Sequence, residues 1–167
     1  MRTMTSILLA VLLSSGGTNA WARGTSGSTS RSNISLLKAA DELASAVRAR
    51  DVSALLRFVP PNGIPCSDSP VTRRDFEKQL RTPDTSWLGA YFLAPETFRK
   101  KFADPMFPES FAEFLATNRN VHVAVLDDED RRFPCVTFLA GDVESPHSFC
   151  FRRYGRRWVL ADLPNCA

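Results

Sequence analysis

The chain has 167 residues, and its 21 Lys and Arg against 18 Asp and Glu give a formal net charge of +3. This mild balance argues against a nucleic-acid-binding protein and against a strongly cationic membrane-surface protein. Because 44% of the residues are hydrophobic and twelve are Phe, the composition is sufficient for one hydrophobic core of ordinary domain size.

The first 22 residues have the pattern of a secretory signal peptide. Arg2 precedes an apolar run at residues 7–13, and Ala20-Trp21-Ala22 supplies the small-x-small pattern of a cleavage site. An apolar run of this length is too short for a bilayer, which needs roughly 20 residues. We therefore expect export to the periplasm or the extracellular space, with cleavage near Ala22, and no transmembrane segment.

A tether and a helix are predicted next. Residues 23–33 are rich in Gly, Ser and Thr and contain no apolar side chain, which is typical of a flexible tether. A single disulfide-stapled domain is then predicted over residues 34–167. Its first apolar residues recur at helical spacing and form one stripe, which consists of Leu36, Ala40, Leu43 and Val47.

Short helices are predicted next, because four residues are of types that favour the N-terminus of a helix. Asp51, Thr72 and Ser110 are candidate N-caps, and Pro95 can occupy the first turn of a further helix. The aromatic segment at residues 87–92 has no assignment from its pattern.

The last third of the chain changes to strand periodicity. Apolar residues alternate at three places, and a fourth strand is predicted at residues 157–163. The alternating sets are Val121, Val123 and Val125, then Val136 and Phe138, then Phe149 and Phe151. Residues 127–132, 141–148 and 154–156 are the predicted connections. The expected fold class is therefore α+β, with N-terminal helices on one face of a C-terminal four-stranded antiparallel meander.

Four cysteines lie in the predicted exported domain: Cys66, Cys135, Cys150 and Cys166. An even number in an oxidising compartment predicts two disulfides, and the absence of a C-x-x-C pair argues against a zinc site. If the second connection is centred near residues 142–143, Cys135 and Cys150 lie opposite each other on adjacent strands. Cys66 would then pair with Cys166.

Both ends of this domain resemble the NTF2-like (cystatin-like) superfamily. Residues 46–51 (AVRARD) with Leu55 are similar to its first helix pair, and residues 155–160 (GRRWVL) are similar to its last hairpin with an inward Trp. The resemblance does not include the middle of the domain. It implies a pocket between the helices and the sheet, for which Trp87, Tyr91 and Trp158 are candidate lining residues or else plain core. Enzymes of the superfamily often carry an Asp/His pair there, and no such pair is recognisable here.

Catalytic signals are weak. His122 lies on the strand face opposite the valines, with no carboxylate placed beside it, so we expect a structural histidine. His147 falls in a predicted connection and is expected at the surface, as are Glu109 and Glu113. No catalytic residue, metal site or cofactor is predicted, and the acidic run at residues 127–130 is interpreted as a solvated hairpin tip because it lacks the glycine of a calcium loop.

One arginine cluster emerges from the meander topology. Successive hairpins place the first and third connections at the same end of the sheet, which gathers Arg131, Arg132, Arg152, Arg153, Arg156 and Arg157 near the acidic tip. Guanidinium groups bind carboxylates and phosphates bidentately. Two outcomes remain open, namely charge pairing within the protein and binding of an anionic ligand or envelope polymer.

Three functional hypotheses follow. The leading one is a non-enzymatic binding or accessory module of the bacterial cell envelope, whose partner is an anionic envelope component or another protein. The first alternative is a small NTF2-like hydrolase or isomerase with His122 in a pocket. The second alternative is a secreted inhibitor or effector that acts through the Arg-rich sheet end.

Overall fold

A computed structural model describes residues 31–66, 69–126, 132–141, 143–164 and 166. The predicted signal peptide, most of the predicted tether, the acidic tip and Arg131 lie outside these residues. The helices are α1 (Arg31–Arg48), α2 (Val52–Leu56), α3 (Arg73–Arg81), α4 (Trp87–Leu93), α5 (Pro95–Lys101) and α6 (Phe111–Thr117). The strands are β1 (Val121–Leu126), β2 (Cys135–Ala140), β3 (Val143–Tyr154) and β4 (Arg157–Leu160).

The fold class is the predicted one. The four described strands form one sheet in the order β1-β2-β3-β4, with every neighbouring pair antiparallel. The helices precede the strands in the chain, which makes the domain α+β. Helix α1 begins at Arg31 and so includes the last three residues of the predicted tether. None of the described helices has both the length and the apolar character that crossing a membrane requires.

Local capping chemistry sets the helix starts as expected. The side chains of Asp51, Thr72 and Ser110 each accept a hydrogen bond from the backbone N–H three residues later, at 2.9, 3.1 and 3.1 Å. These bonds satisfy N–H groups that the first turn of a helix leaves without partners. Pro95 occupies the first turn of α5, as predicted.

The unassigned aromatic segment forms helix α4, which packs closely on α3. A Cβ at Gly89 would collide with the backbone carbonyl oxygen of Gln79, so this position needs a residue without a side chain. Ser86 caps the helix by accepting from the Gly89 N–H at 3.2 Å. The close approach brings the aromatic residues of α4 into the core.

The core lies between the helices and one face of the sheet. The whole apolar stripe of α1 is buried, as predicted. Phe111 of α6 contacts the two central strands, with ring centroids 4.7 Å from Phe138 and 4.9 Å from Phe149. Phe58, after α2, meets Phe151 at 6.4 Å. Helices therefore cover the inner face of the sheet, the face that carries these phenylalanines.

Two strand boundaries differ from the prediction. Strand β3 begins at Val143, so it includes residues 143–148 of the predicted connection. The β2–β3 register shifts between Thr137 and Leu139, so residues 145–147 of β3, which include Pro146, stand opposite Phe138 alone. Proline is tolerated in a strand where such an irregularity removes the need for its N–H. Strand β4 ends at Leu160 and not at residue 163.

The disulfide pairing agrees with the prediction. Cys135 and Cys150 are direct partners in the β2–β3 register and are bonded to each other. Cys66 is bonded to Cys166 across a sequence separation of 100 residues. Ala140 pairs with Val143 beside the connection, and the register shift between Thr137 and Leu139 then moves β3 by two residues, which brings Cys150 opposite Cys135.

Candidate functional site

The inner face of β3 carries the side chains that define the site. Residues 147, 149, 151 and 153 share this face because side chains alternate along a strand. Phe149 and Phe151 are buried in the core, whereas Arg153 lies beyond them, at the end of the strand. Arg153 is directly opposite Trp158 in the β3–β4 register, so both side chains face the helices.

Arg153 is held in place by three neighbours. Its guanidinium carbon lies 4.3 Å from the centroid of the Trp158 ring, which is a cation–π arrangement. Its Nη2 donates to Ser35 Oγ of α1 at 2.9 Å, and its Nη1 donates to the Arg156 carbonyl at 3.2 Å. Trp158 Nε1 donates to the same Ser35 hydroxyl at 3.0 Å. Ser35 thus connects α1 to the β3–β4 hairpin.

A groove of about 400 Å³ opens around this contact, between α1, the end of α2 and the β3–β4 hairpin. Five cationic residues line the groove, which are Lys38, Arg57, Arg153, Arg156 and Arg157. We call it the basic groove. Glu42 is the acidic residue among its lining side chains, and Phe58 and Trp158 provide its apolar wall.

Several backbone features position these cations. Gly155 has a φ of +61°, which allows the tight turn that presents Arg156 between β3 and β4. The Leu160 N–H donates to the Phe58 carbonyl at 2.9 Å, which fixes Arg57 and Phe58 against β4. Lys38 and Glu42 lie one turn apart on the exposed side of α1.

The cations of the basic groove are exposed and not neutralised within the described part of the chain. All five are exposed to solvent. Among the described residues, the ion pairs involve Glu77, Glu96, Glu109 and Glu113, and none includes a residue of the groove. Five cationic residues and one acidic residue therefore line the groove, and this excess of positive charge attracts anions.

The other predicted arginines have different surroundings. Arg152 points away from the groove, and its Nη2 donates to Asn62 Oδ1 at 3.1 Å and to the Gly63 carbonyl at 3.4 Å. The Arg132 guanidinium lies 5.3 Å from the Phe133 ring centroid. The structure therefore brings together Arg153, Arg156 and Arg157 and leaves Arg152 and Arg132 elsewhere, while Arg131 lies outside the described residues.

Sequence reasoning missed the contributions from the helices, namely Ser35, Lys38 and Arg57. Their role depends on how α1 and α2 pack against β4, which local periodicity does not encode. One signal was available. The alternation of Phe149 and Phe151 continues to Arg153, which places this arginine on the inner face and Arg152 on the outer face.

His147 is not at the surface, and that prediction is wrong. The residue is 1% exposed, because β3 continues through Pro146 and places the imidazole on the inner face. The Tyr91 hydroxyl and His147 Nδ1 are hydrogen-bonded at 2.8 Å. The rings of Phe111 and Phe114 enclose the imidazole at centroid distances of 5.6 and 5.2 Å.

Burial shifts the protonation equilibria around His147. Loss of hydration lowers the pKa of His147 to about 4, so the imidazole is neutral at neutral pH. Burial and then the charge of Glu109 raise the pKa of Tyr91 well above its ordinary value. The pKa of Glu109 is itself raised, first by burial and then by Glu113. Glu109 Oε1 lies 3.8 Å from His147 Nε2.

This cluster belongs to the core. An imidazole that is 1% exposed is not open to a substrate, so its polar contacts orient the ring within the aromatic packing. Glu113, predicted at the surface, instead forms an ion pair with Arg99, and its side chain is 17% exposed. Trp87 and Tyr91 stack on each other with ring centroids 4.7 Å apart. Of the three aromatic residues that were candidates for lining a pocket, Trp158 lines the basic groove and these two do not.

His122 is exposed on the outer face of β1, opposite the valines that pack against the core. It therefore lacks the enclosed environment that the hydrolase or isomerase hypothesis required. Within residues 31–66, 69–126, 132–141, 143–164 and 166, no group of three or more His, Cys, Asp or Glu residues could hold a metal ion.

Comparisons with known proteins do not add an identity to this geometry. The chain matches no protein-family model, no curated protein and no solved structure.

Proposed function

We propose that the chain is an exported, NTF2-like binding module of the cell envelope whose ligand carries a phosphate or carboxylate group held in the basic groove. The single observation behind this proposal is the gathering of five exposed cations around one carboxylate in a groove of about 400 Å³. Clefts lined by one sign of charge concentrate ligands of the opposite sign.

The arrangement of Arg153 favours an oxyanion over a diffuse cloud of counterions. A guanidinium carries more N–H groups than the two that bind Ser35 and the Arg156 carbonyl, so the others can donate to a ligand. Because the contacts with Trp158, Ser35 and the Arg156 carbonyl already hold the Arg153 guanidinium, little conformational freedom is lost when the ligand binds.

Export is supported by the sequence of the first 22 residues and by the disulfides. Two disulfides persist in an oxidising compartment. The NTF2-like assignment is supported by the α+β arrangement, in which Trp158 of the last hairpin faces the helices.

The test is a titration with inorganic phosphate, followed through the NMR resonance of the Trp158 indole N–H. This group donates to Ser35 Oγ beside Arg153, so it should report binding directly. Replacing Arg156→Gln and Arg157→Gln together should weaken the apparent affinity at least ~10-fold, because charge-assisted hydrogen bonds are lost.

A matched control removes the same charge elsewhere. Arg74 and Arg119 are exposed and do not line the basic groove, so Arg74→Gln with Arg119→Gln should leave the titration unchanged. Equal weakening in both double variants would mean that net charge alone determines the affinity for phosphate, which would contradict a defined site. A wild-type indole resonance that does not respond to phosphate would contradict it as well.

A further inference from the structure

A second groove adjoins the basic groove along helix α1. It has a volume of about 480 Å³ and lies between α1 and residues 49–57, which include α2. We call it the α1–α2 groove. Lys38, Glu42 and Arg57 line both grooves, so the two grooves meet at these residues. A ligand longer than one groove can therefore lie across both.

The two grooves differ in charge where they do not overlap. The charged residues that line the basic groove alone are Arg153, Arg156 and Arg157. Those that line the α1–α2 groove alone are Asp41 and Asp51. All five are exposed, and no ion pair among the described residues includes either aspartate. A ligand that lies across both grooves therefore meets positive charge at one end and negative charge at the other.

The acidic end combines carboxylates from two elements. Asp41 belongs to α1, whereas Asp51 is the N-cap of α2. Asp51 Oδ1 accepts from the Ala54 N–H at 2.9 Å, which fixes this carboxylate at the groove. An ammonium group has three N–H donors and no acceptor, so it suits a position between carboxylates.

Helix α1 sets the separation of the two ends. Ser35, which accepts from Arg153, and Asp41 are six residues apart on this helix. The helical rise places them about 9 Å apart along the axis. An extended peptide advances by roughly 3.3–3.6 Å per residue, so about three residues span this distance. A single amino acid is too short to reach both ends.

We propose that the two grooves bind a short peptide with free termini, with its C-terminal carboxylate at Arg153 and its N-terminal ammonium at Asp41. The inference rests on the proposed function and names the class of molecule that carries the oxyanion. The guanidinium binds the carboxylate through charge-assisted hydrogen bonds. Lys38 and Arg57 lie where the grooves meet and can donate to the peptide carbonyls. Because both charges belong to the termini, recognition depends on the length of the peptide and not on its side chains.

The experiment compares tri-alanine with modified forms of the same peptide. Binding to the protein is followed through the Trp158 indole N–H, and inorganic phosphate is titrated in parallel. N-acetylated tri-alanine should bind about fivefold more weakly than the free peptide, because its ammonium is lost. C-amidated tri-alanine should bind at least ~10-fold more weakly, because its carboxylate is lost. Free alanine should bind no better than acetate.

Asp41→Asn tests the acidic end separately, since Asp41 does not line the basic groove. The variant should bind tri-alanine about threefold more weakly than the wild type. Its affinities for N-acetylated tri-alanine and for inorganic phosphate should be unchanged, because neither ligand carries the ammonium that Asp41 contacts.

Glu96→Gln is the matched control. It removes an equal charge from an exposed residue that lines neither groove, so this variant should bind tri-alanine like the wild type. Asp41 is exposed as well, and thermal unfolding verifies that both variants are folded.

The outcomes separate this inference from the proposed function. An intact phosphate response with no binding of tri-alanine, or with equal binding of the free and N-acetylated peptides, would overturn the peptide inference and leave the proposed oxyanion site standing. Equal weakening of the free and N-acetylated peptides by Asp41→Asn would also overturn it, because Asp41 would then not act through the ammonium. No phosphate response in the wild type would overturn the proposed function and, with it, the peptide inference.

Discussion

The inner face of β3 carries a polar side chain at each end of its phenylalanine pair, and the two ends behave oppositely. At the closed end, His147 is enclosed by aromatic rings and is neutral at neutral pH. At the open end, Arg153 and its neighbours are exposed and charged. The same strand and the same periodicity thus produce a core position and a binding position.

The helices cause this difference. Helices α4 and α6 cover the closed end with Tyr91, Phe111 and Phe114, so polar atoms there must be satisfied within the protein. The N-terminal half of α1 meets the open end through Ser35 and leaves room beside it for water or a ligand. Substitutions at the closed end should therefore change stability, and substitutions at the open end should change binding.

The largest effect is expected for Phe111→Ala at the closed end. Phe111 is fully buried against both central strands, so truncation loses its burial and leaves a cavity. The free energy of unfolding in urea should fall by about 3–5 kcal/mol. Tyr154→Ala at the open end is the control and should cost less than about 1 kcal/mol. Similar losses in both variants would mean that the two ends do not differ in packing.

The next largest effect is the pH dependence imposed by His147. Its pKa is about 4 in the folded protein and about 6.5 in an unfolded chain, so between these values only the unfolded state binds the proton. Stability from this group is complete above pH ~6.5 and is lost as the pH falls towards 4, by about 3 kcal/mol in total. Glu109 partly offsets this loss, because its raised pKa means that the folded protein binds a proton at this carboxylate at a higher pH than the unfolded chain does.

Urea denaturation at pH 4.5 and pH 7.5 measures this dependence, and the NMR titration of the His147 imidazole gives its pKa directly. A His147 resonance that titrates near pH 6.5 would refute the closed environment, even if the protein proves less stable in acid.

The smallest effect on stability is expected for Ser35→Ala at the open end. The substitution removes the acceptor of Arg153 and Trp158, which should cost about 1 kcal/mol or less in unfolding free energy. Affinity for inorganic phosphate should nevertheless fall, by roughly fivefold, because Arg153 is no longer held in place. Ser45→Ala on the same helix is the matched control. Stability loss without any loss of affinity would show that Ser35 is structural only.

Features that depend on a few neighbouring residues could be predicted from the sequence. Asp51, Thr72 and Ser110 cap helices because the bond partner lies three residues away. The same holds for the order of the meander, in which each strand pairs with the next strand along the chain. In each case the deciding interaction lies close in sequence.

Features that depend on packing between distant elements could not be predicted from the sequence. Pro146 ends a strand by local rules, and only the register shift opposite Phe138 allows β3 to continue and bury His147. Arg152 and Arg153 look equivalent in the sequence, yet one donates to the loop at Asn62 and the other contacts α1. The basic groove exists only after α1 and α2 are placed against the last hairpin.

The long disulfide has a consequence for how the chain acquires its fold. Cys135 and Cys150 are only 15 residues apart, whereas Cys66 must wait for Cys166, which is separated from it by 100 residues. In a chain that crosses a membrane from its N-terminus, Cys66 meets Cys135 first and its native partner last. If this chain is exported as we propose, oxidation during translocation favours an incorrect bond, and the native pairing depends on later thiol exchange. A host that provides an isomerase as well as an oxidant should produce this protein in the higher yield.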